Sequence, residues 1–240
     1  MGIRKMGPVI AIDGPAGTGK SSVTKRLCES LGFVHVDTGA LYRCIAFISI
    51  NQGVDFSSPS FSDENKKIVI ENARNTHLEF KRNSELNPAN RILANGKDLT
   101  AFIRTPEVSM GASRASAIAE VRASLLGLQR QLGCVGKSIL EGRDIGTVIF
   151  PDADVKFFLT ASVNERAKRR LIELESQGKD PPSFEEVKKQ MIERDTADSS
   201  RAVAPLKKAD DAIEFDTSDF TLDEVVQKLE AIIVSKIQIK

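Results

Sequence analysis

Apolar residues follow two rhythms near the start of the chain. Val9 to Ile12 is a short continuous run closed by Asp13-Gly14-Pro15, which predicts a buried strand. From Lys20 to Leu31, Val23, Leu27 and Leu31 recur at helical spacing, and Gly32 supplies the stop. Phe33-Val34-His35-Val36 predicts a second strand ending at Asp37. Leu41 to Ile50 predicts a second helix closing near Gly53. Strand, helix, strand, helix in this order predicts a parallel sheet covered by helices.

The middle of the chain breaks that rhythm. Ser57 to Ser62 is rich in Ser and Pro, Asp63 to Ala73 reads as a helix, and Thr76 to Lys81 alternates. Arg91-Ile92-Leu93-Ala94 and Lys97-Asp98-Leu99-Thr100 flank Asn95-Gly96. Asn-Gly between two short runs predicts a hairpin, because a type I′ turn needs positive φ at both central residues. Residues 60–103 therefore read as a small α+β insertion, with Pro59 and Pro106 at its flanks. Pro106 to Leu132 predicts one long helix, and Ile139-Leu140 and Val155 to Leu159 two more strands. Val163 to Gln177 predicts a charged helix ending at Gly178. Pro181-Pro182-Ser183 opens another, running toward Asp195. Ala212 to Phe215 is the last strand. Thr221-Leu222-Asp223-Glu224 is a capping box for the last helix.

Composition narrows the class. The 240 residues suit one domain, or one domain with an insertion. A hydrophobic share of 41% and a charged share of 28% are those of a soluble globular chain. The formal net charge of +1 leaves no global field for nucleic acid or an anionic membrane, so any basic site must be local. Cys28, Cys44 and Cys134 are widely spaced and form no CxxC pair, which points to a reducing compartment. No apolar run reaches transmembrane length, and MGIRKMGPVIAIDG has no signal-peptide core. The expectation is a cytoplasmic monomer without nucleic-acid or membrane partners.

The first chemical signal is GPAGTGKS, Gly14 to Ser21, which matches the P-loop pattern G-x-x-x-x-G-K-[ST] between a predicted strand and a predicted helix. Gly14, Gly17 and Gly19 let the backbone curl so that amide N–H groups face phosphate oxygens. The helix beginning at Lys20 adds its positive dipole end. Lys20 supplies a charge for the β- and γ-phosphates, and Ser21 a hydroxyl for Mg²⁺. The motif implies nucleotide binding without specifying the reaction.

The second signal is basic residues outside that loop. Asp37-Thr38-Gly39 reads as a turn after the second strand, and Arg43 lies on the first turns of the helix that follows. Arg143 and Asp144 follow another strand, in EGRDIGT. Ligands of open α/β sheets bind at the carboxyl ends of strands. Arg43, Arg143 and Arg201 therefore suit a phosphomonoester, which a planar guanidinium holds in bidentate fashion.

IDGPAGTGKSS, DTGALYR, GRDIGTVIFPDADVKFFL, ERAKRR and RDTADSSRAVAPL, in this order from residue 12 to 206, resemble the bacterial cytidylate kinases, P-loop nucleoside monophosphate kinases. The resemblance implies an α/β three-layer sandwich with a central parallel sheet of about five strands. It also implies that the insertion binds the monophosphate and that residues 163–201 form a helical lid. It implies an ATP site from Gly14, Pro15, Ala16, Gly17, Thr18, Gly19, Lys20, Ser21 and Ser22, with Mg²⁺ on Ser21. Arg143, Arg43 and Arg201 would hold the acceptor phosphate, with Thr38 beside them. Asp144 would accept from the cytosine amino group, Ser113 and Arg122 would complete the base contacts, and Arg194 and Asp198 would hold the ribose end. A carboxylate opposite cytosine N4–H₂ gains a charge-assisted hydrogen bond, whereas opposite uracil O4 it meets a second acceptor.

Arg166, Arg169 and Arg170 share a helix face. The resemblance makes Arg166 and Arg170 the pair that closes over the triphosphate, where the transition state needs positive charge. The same spacing also fits a solvated helix partnered by Glu165, Glu173 and Glu175. Three positions depart from the family pattern. Thr38 replaces a serine and keeps the hydroxyl. Glu141 stands where an aspartate is common. Residues 195–200 lack arginines that relatives carry. His35 and His77 have no metal-ligand company in sequence. Two other readings stand beside this one. The first is a P-loop kinase of another small acceptor. The second is a GTPase-type switch, whose guanine signature is approached only by Lys207-Lys208-Ala209-Asp210, placed before the last strand rather than after one.

Overall fold

The computed structural model describes residues 5–57, 61–82, 90–176 and 182–237. The expected flank at Pro59 and the expected helix boundaries at Gly178 and Pro181 lie outside these residues. In chain order the elements are β1 (Val9–Asp13), α1 (Lys20–Leu31), β2 (Val34–Asp37), α2 (Thr38–Asn51) and α3 (Asp63–Asn75). There follow β3 (Leu78–Arg82), β4 (Asn90–Ala94), β5 (Lys97–Asp98), α4 (Pro106–Ser116) and α5 (Ala119–Cys134). The last group is β6 (Ser138–Gly142), β7 (Val155–Thr160), α6 (Val163–Ser176), α7 (Phe184–Ser200), β8 (Ile213–Asp216) and α8 (Leu222–Ile237). The chain divides into two compact units, Met1–Val36 with Arg130–Lys240, and Asp37–Gln129. The second unit contains the 60–103 segment and extends past it at both ends.

The first unit is built on a parallel five-stranded sheet in the order β2-β6-β1-β7-β8, the P-loop α/β arrangement. β1 is central and every one of its residues is buried, which is why its sequence is a continuous apolar run rather than an alternating one. The chain leaves β1 toward β2 on one side and later fills β7 and β8 on the other. The strand order thus reverses at β1, and ligands of such sheets bind at the carboxyl ends beside that point. Ile10, Ile12, Ile139, Phe157 and Leu159 of the sheet pack with Leu27 of α1 and with Leu229 and Ile233 of α8. Burying each of these side chains stabilises the unit by roughly 1.5–3 kcal/mol. A smaller cluster of Ala167, Val187 and Met191 joins α6 to α7. α7 starts with the capping box Ser183–Glu186, and α8 with the expected box Thr221–Glu224. α7 continues to Ser200, five residues past the expected Asp195.

In the second unit β3, β4 and β5 form an antiparallel sheet. Asn95 and Gly96 take φ of 50° and 79°, the positive values that their turn requires. α2 and α4 pack so closely that a Cβ on Gly111 would stand 3.0 Å from Ala46 Cβ.

Two expectations are corrected in this unit. The predicted helix from Pro106 to Leu132 is two helices, parted at Ala117 and Ile118 without a Pro or Gly. The Ser116 hydroxyl donates to the Ser113 carbonyl at 2.8 Å, and the amides of Ala117 and Ile118 make tight three-residue bonds to Arg114 and Ala115. Ile118 is buried there, and Arg122 Nη1 donates to the Ser116 carbonyl that the break releases. The expected turn at Asp37-Thr38-Gly39 is instead the start of α2. The Asp37 carboxylate is the cap and accepts the Ala40 amide at 3.1 Å.

Candidate active site

Gly14 takes φ of +145°, and a Cβ there would fall 2.1 Å from the Leu159 carbonyl oxygen of β7, so only glycine lets the loop start this close to the sheet. Gly17 and Gly19 also have positive φ, and α1 opens at Lys20 with no side-chain cap. The N-terminal amides of α1 thus lack a protein cap and suit phosphate oxygens. Lys20 Nζ donates to the Pro15 carbonyl at 2.5 Å and lies 3.3 Å from Thr18 Oγ1. Ser21 Oγ donates to Glu141 Oε2 at 2.8 Å, and Glu141 Oε1 lies 2.9 Å from His35 Nε2.

Burial lowers the Lys20 ammonium well below its ordinary value. Arg143 and Arg194 lower it further, and Glu141 and Asp13 offset them only in part. The cradle's lysine and two arginines of the proposed acceptor site therefore lie in one cationic field. Carboxylates balance that field in part, and phosphate groups have the charge that would add to the balance.

After β6, Arg143 and Asp144 stand side by side in the chain. Both side chains pair with the α7 end of the chain. Arg143 Nε donates to Asp198 Oδ2 at 2.9 Å, and Arg201 Nη2 lies 3.6 Å from Asp144 Oδ1. Asp144 and Asp198 are buried. Burial pushes the Asp198 carboxyl up, but the guanidinium groups of Arg143, Arg194 and Arg201 together hold it below its ordinary value. Arg143, Asp144, Asp198 and Arg201 are thus joined by these pairs, and Arg194 lies within their field.

Beyond Asp144 the backbone makes a π-helical turn, Ile145–Ile149. The buried Asp13 carboxylate accepts the Ile145 amide at 2.8 Å and the Gly146 amide at 2.7 Å. Arg130 holds the far end of the turn, donating to the carbonyls of Val148 and Ile149, each at 3.1 Å. Burial raises the Asp13 carboxyl to about 6 against the lowering effect of those two amides.

The three α6 arginines go separate ways. Arg166 is buried, pairs with Asp195 at 2.7 Å and donates to the Ala16 carbonyl of the phosphate loop at 3.1 Å. Arg169 donates to Thr217 Oγ1 and to the Thr217 carbonyl, and Thr217 Oγ1 in turn donates to the Thr18 carbonyl. Arg170 pairs with Glu173 at 2.7 Å.

In the second unit, Arg43 Nη1 and Arg104 Nη2 donate to the same Asp37 oxygen at 3.3 and 3.2 Å. Thr38, the first residue of α2, is buried. The Arg122 guanidinium lies over the Tyr42 ring, 5.7 Å from its centre. Ser113 stands on α4, and its carbonyl accepts the Ser116 hydroxyl.

Reading the sequence missed Asp13, Thr217 and Asp195, and left Glu141 without a role. Asp13 carried a usable signal, since it is an acid closing an otherwise apolar central strand. Thr217 and Asp195 act across long separations and carried none.

Comparison with known proteins gives a consistent result. A family model described as cytidylate kinase matches residues 10–235. A cytidylate kinase of a Geobacter species is 44% identical over 95% of this chain and 93% of its own length. That of Citrifermentans bemidjiense is 42% identical over 98% and 96%. A bifunctional pantoate ligase/cytidylate kinase of Prochlorococcus marinus is 43% identical, and the chain spans 44% of its length.

Proposed function

We propose, because the chain belongs to the cytidylate kinase family, that it transfers the γ-phosphoryl group of ATP to CMP or dCMP, giving ADP and CDP or dCDP. The observation that supports this reading is the arginine–carboxylate cluster after β6, Arg143 with Asp198 and Arg201 with Asp144, in the same unit as the phosphate loop. Arg143 and Arg201 suit an acceptor phosphate, as the loop from Gly14 to Ser21 suits the donor phosphates.

The roles follow from the chemistry. The backbone from Gly14 to Gly19 and the start of α1, with Ser21 and Ser22, hold the triphosphate. Lys20 and the buried Arg166 carry positive charge for the transferred phosphoryl, and Arg170 on the same helix adds to it as the lid closes. Arg143, Arg201 and Arg43 bind the acceptor phosphate, with the Thr38 hydroxyl. Asp144 accepts from cytosine N4–H₂, Ser113 and Arg122 contact the base, and Arg194 and Asp198 the ribose. No side chain need act as general base, since the acceptor phosphate dianion is itself a nucleophile.

Mg²⁺ fits the residues present. The Ser21 hydroxyl and the Glu141 carboxylate, 2.8 Å apart, are hard oxygen donors of the kind that ion takes. Ser21 would hold it with Glu141 alongside, and the ion supplies charge neutralisation on the phosphate oxygens.

The test is ADP formation from Mg-ATP with CMP, dCMP, UMP, AMP and GMP, beside a control without acceptor. Turnover with CMP and dCMP well above UMP is expected. Equal CMP and UMP rates would keep the kinase and remove Asp144 from base selection. ATP binding without turnover on any monophosphate would overturn the acceptor assignment.

A further inference from the structure

Asp13 is the last residue of the central strand, its register partner in β6 is Gly142, and the next residue, Gly14, opens the phosphate loop. Its two carboxylate oxygens take different partners. Oδ1 accepts the Ile145 amide and Oδ2 the Gly146 amide, and these are the two residues directly after Asp144. Both oxygens are used and both donors are backbone amides, so the carboxylate holds the two successive peptides that follow Asp144. The site is buried, so water cannot substitute for a lost bond. Gly146 packs tightly as well. A Cβ there would lie 3.0 Å from Lys156 Cδ and 3.5 Å from Asp13 Oδ2.

We propose that Asp13 is a positioning residue for acceptor recognition: by holding the Ile145 and Gly146 amides it sets the orientation of the Arg143–Asp144 segment, and through it the discrimination between cytosine and uracil. The proposal rests on the assignment of Asp144 to the base and adds a residue that touches neither substrate. The same strand end that starts the donor cradle thereby aims the acceptor reader.

Asp13→Asn tests it. Asparagine keeps the shape but has one acceptor oxygen, so its NH₂ must face one of the two amide donors. Misplacement of a reacting group by about 1 Å costs on the order of 100-fold in rate, so kcat/KM for CMP should fall by about tenfold to 100-fold. The CMP-over-UMP preference should shrink by about tenfold, while KM for ATP stays within about twofold. A merely structural role would lower turnover with CMP and UMP alike and leave their ratio intact, and that result overturns the proposal.

Asp144→Ala is run in parallel. If it too leaves the ratio intact, the assignment of Asp144 to the base fails, and the Asp13 proposal with it. If Asp144→Ala collapses the ratio and Asp13→Asn does not, the Asp13 proposal alone fails. Should Asp13→Asn not fold, hydrogen exchange of the wild-type enzyme without substrates decides. Strong protection of the Ile145 and Gly146 amides is expected, and rapid exchange at both overturns the proposal.

Discussion

At the end of β2, Asp37 finds two of its partners close by in the chain. It accepts the amide of Ala40 and a guanidinium hydrogen of Arg43, six residues on, while Arg104 comes from farther away. At the end of β6, the partners come from the far side of the sequence. Arg143 bonds Asp198 across 55 residues, Asp144 faces Arg201, and Asp13 reaches the turn from 132 residues upstream. The first arrangement is a helix cap that also holds arginines. The second is a recognition segment that several distant elements must agree upon. A locally held site depends little on the rest of its unit, whereas one assembled from long-range pairs fails when any partner is lost.

Lys20→Ala sets the scale for both. Removing one preorganised cation from a phosphoryl-transfer site costs on the order of 10²–10³ in kcat, with every acceptor affected alike. Circular dichroism should find the fold retained. An active, folded variant would undo the donor assignment before either strand end is considered.

Asp198→Asn should follow in size. It removes the carboxylate that Arg143, Arg194 and Arg201 share, and breaking a buried pair from one side costs about 3 kcal/mol or more. A lower urea midpoint and a loss of CMP turnover should appear together. The pH dependence separates this carboxylate from Asp13. Asp198 titrates below its ordinary 3.8 in the folded state, so its contribution is complete above that value and lost as pH falls through the folded one. Asp13 titrates at about 6, above its ordinary 3.8, so the folded state takes up its proton first. Stability from that group therefore rises as pH falls between these values, by at most about 3 kcal/mol. Urea midpoints from about pH 7 to about pH 3 should lose the acid-side decline in Asp198→Asn and the opposing gain in Asp13→Asn. The same pH profile in both variants would contradict the two assignments.

What the sequence made legible follows the same division. The phosphate loop is contiguous, so the eight residues from Gly14 to Ser21 carried its turn and its chemistry together, between a strand and a helix legible on either side. The hairpin at Asn95-Gly96, the stop at Gly32 and the Thr221–Glu224 box were legible because each is decided within one turn of chain. The break at Ala117 was not. No residue there disfavours a helix strongly, and the break is sustained by the Ser116 hydroxyl, the burial of Ile118 and the reach of Arg122. The residues after β6 were legible as types and not as partners. Arg143 and Asp144 stand side by side in sequence and pair with Asp198 and Arg201 in space, and no local pattern encodes that exchange.

Asp37→Ala should do less than Asp198→Asn. It removes one helix cap, worth about 1 kcal/mol, and releases Arg43 and Arg104. The melting temperature should drop by only a few degrees. The CMP-over-UMP preference should not move, because the base is assigned to Asp144. A collapse of that preference would mean that the β2 end is not the local device described above.

Gly96→Ala should have the smallest effect. A Cβ at Gly96 meets nothing within 4 Å, so the whole cost is that of a φ of +79°, about 1 kcal/mol for an L-residue. Turnover with CMP should be unchanged while thermal unfolding registers the loss. Gly14 also has positive φ, but its Cβ would strike the Leu159 carbonyl oxygen, so Gly14→Ala must move the phosphate loop or the strand behind it. If Gly96→Ala lowered CMP turnover as Gly14→Ala should, the hairpin would be part of the acceptor machinery, and local encoding would no longer imply local consequence.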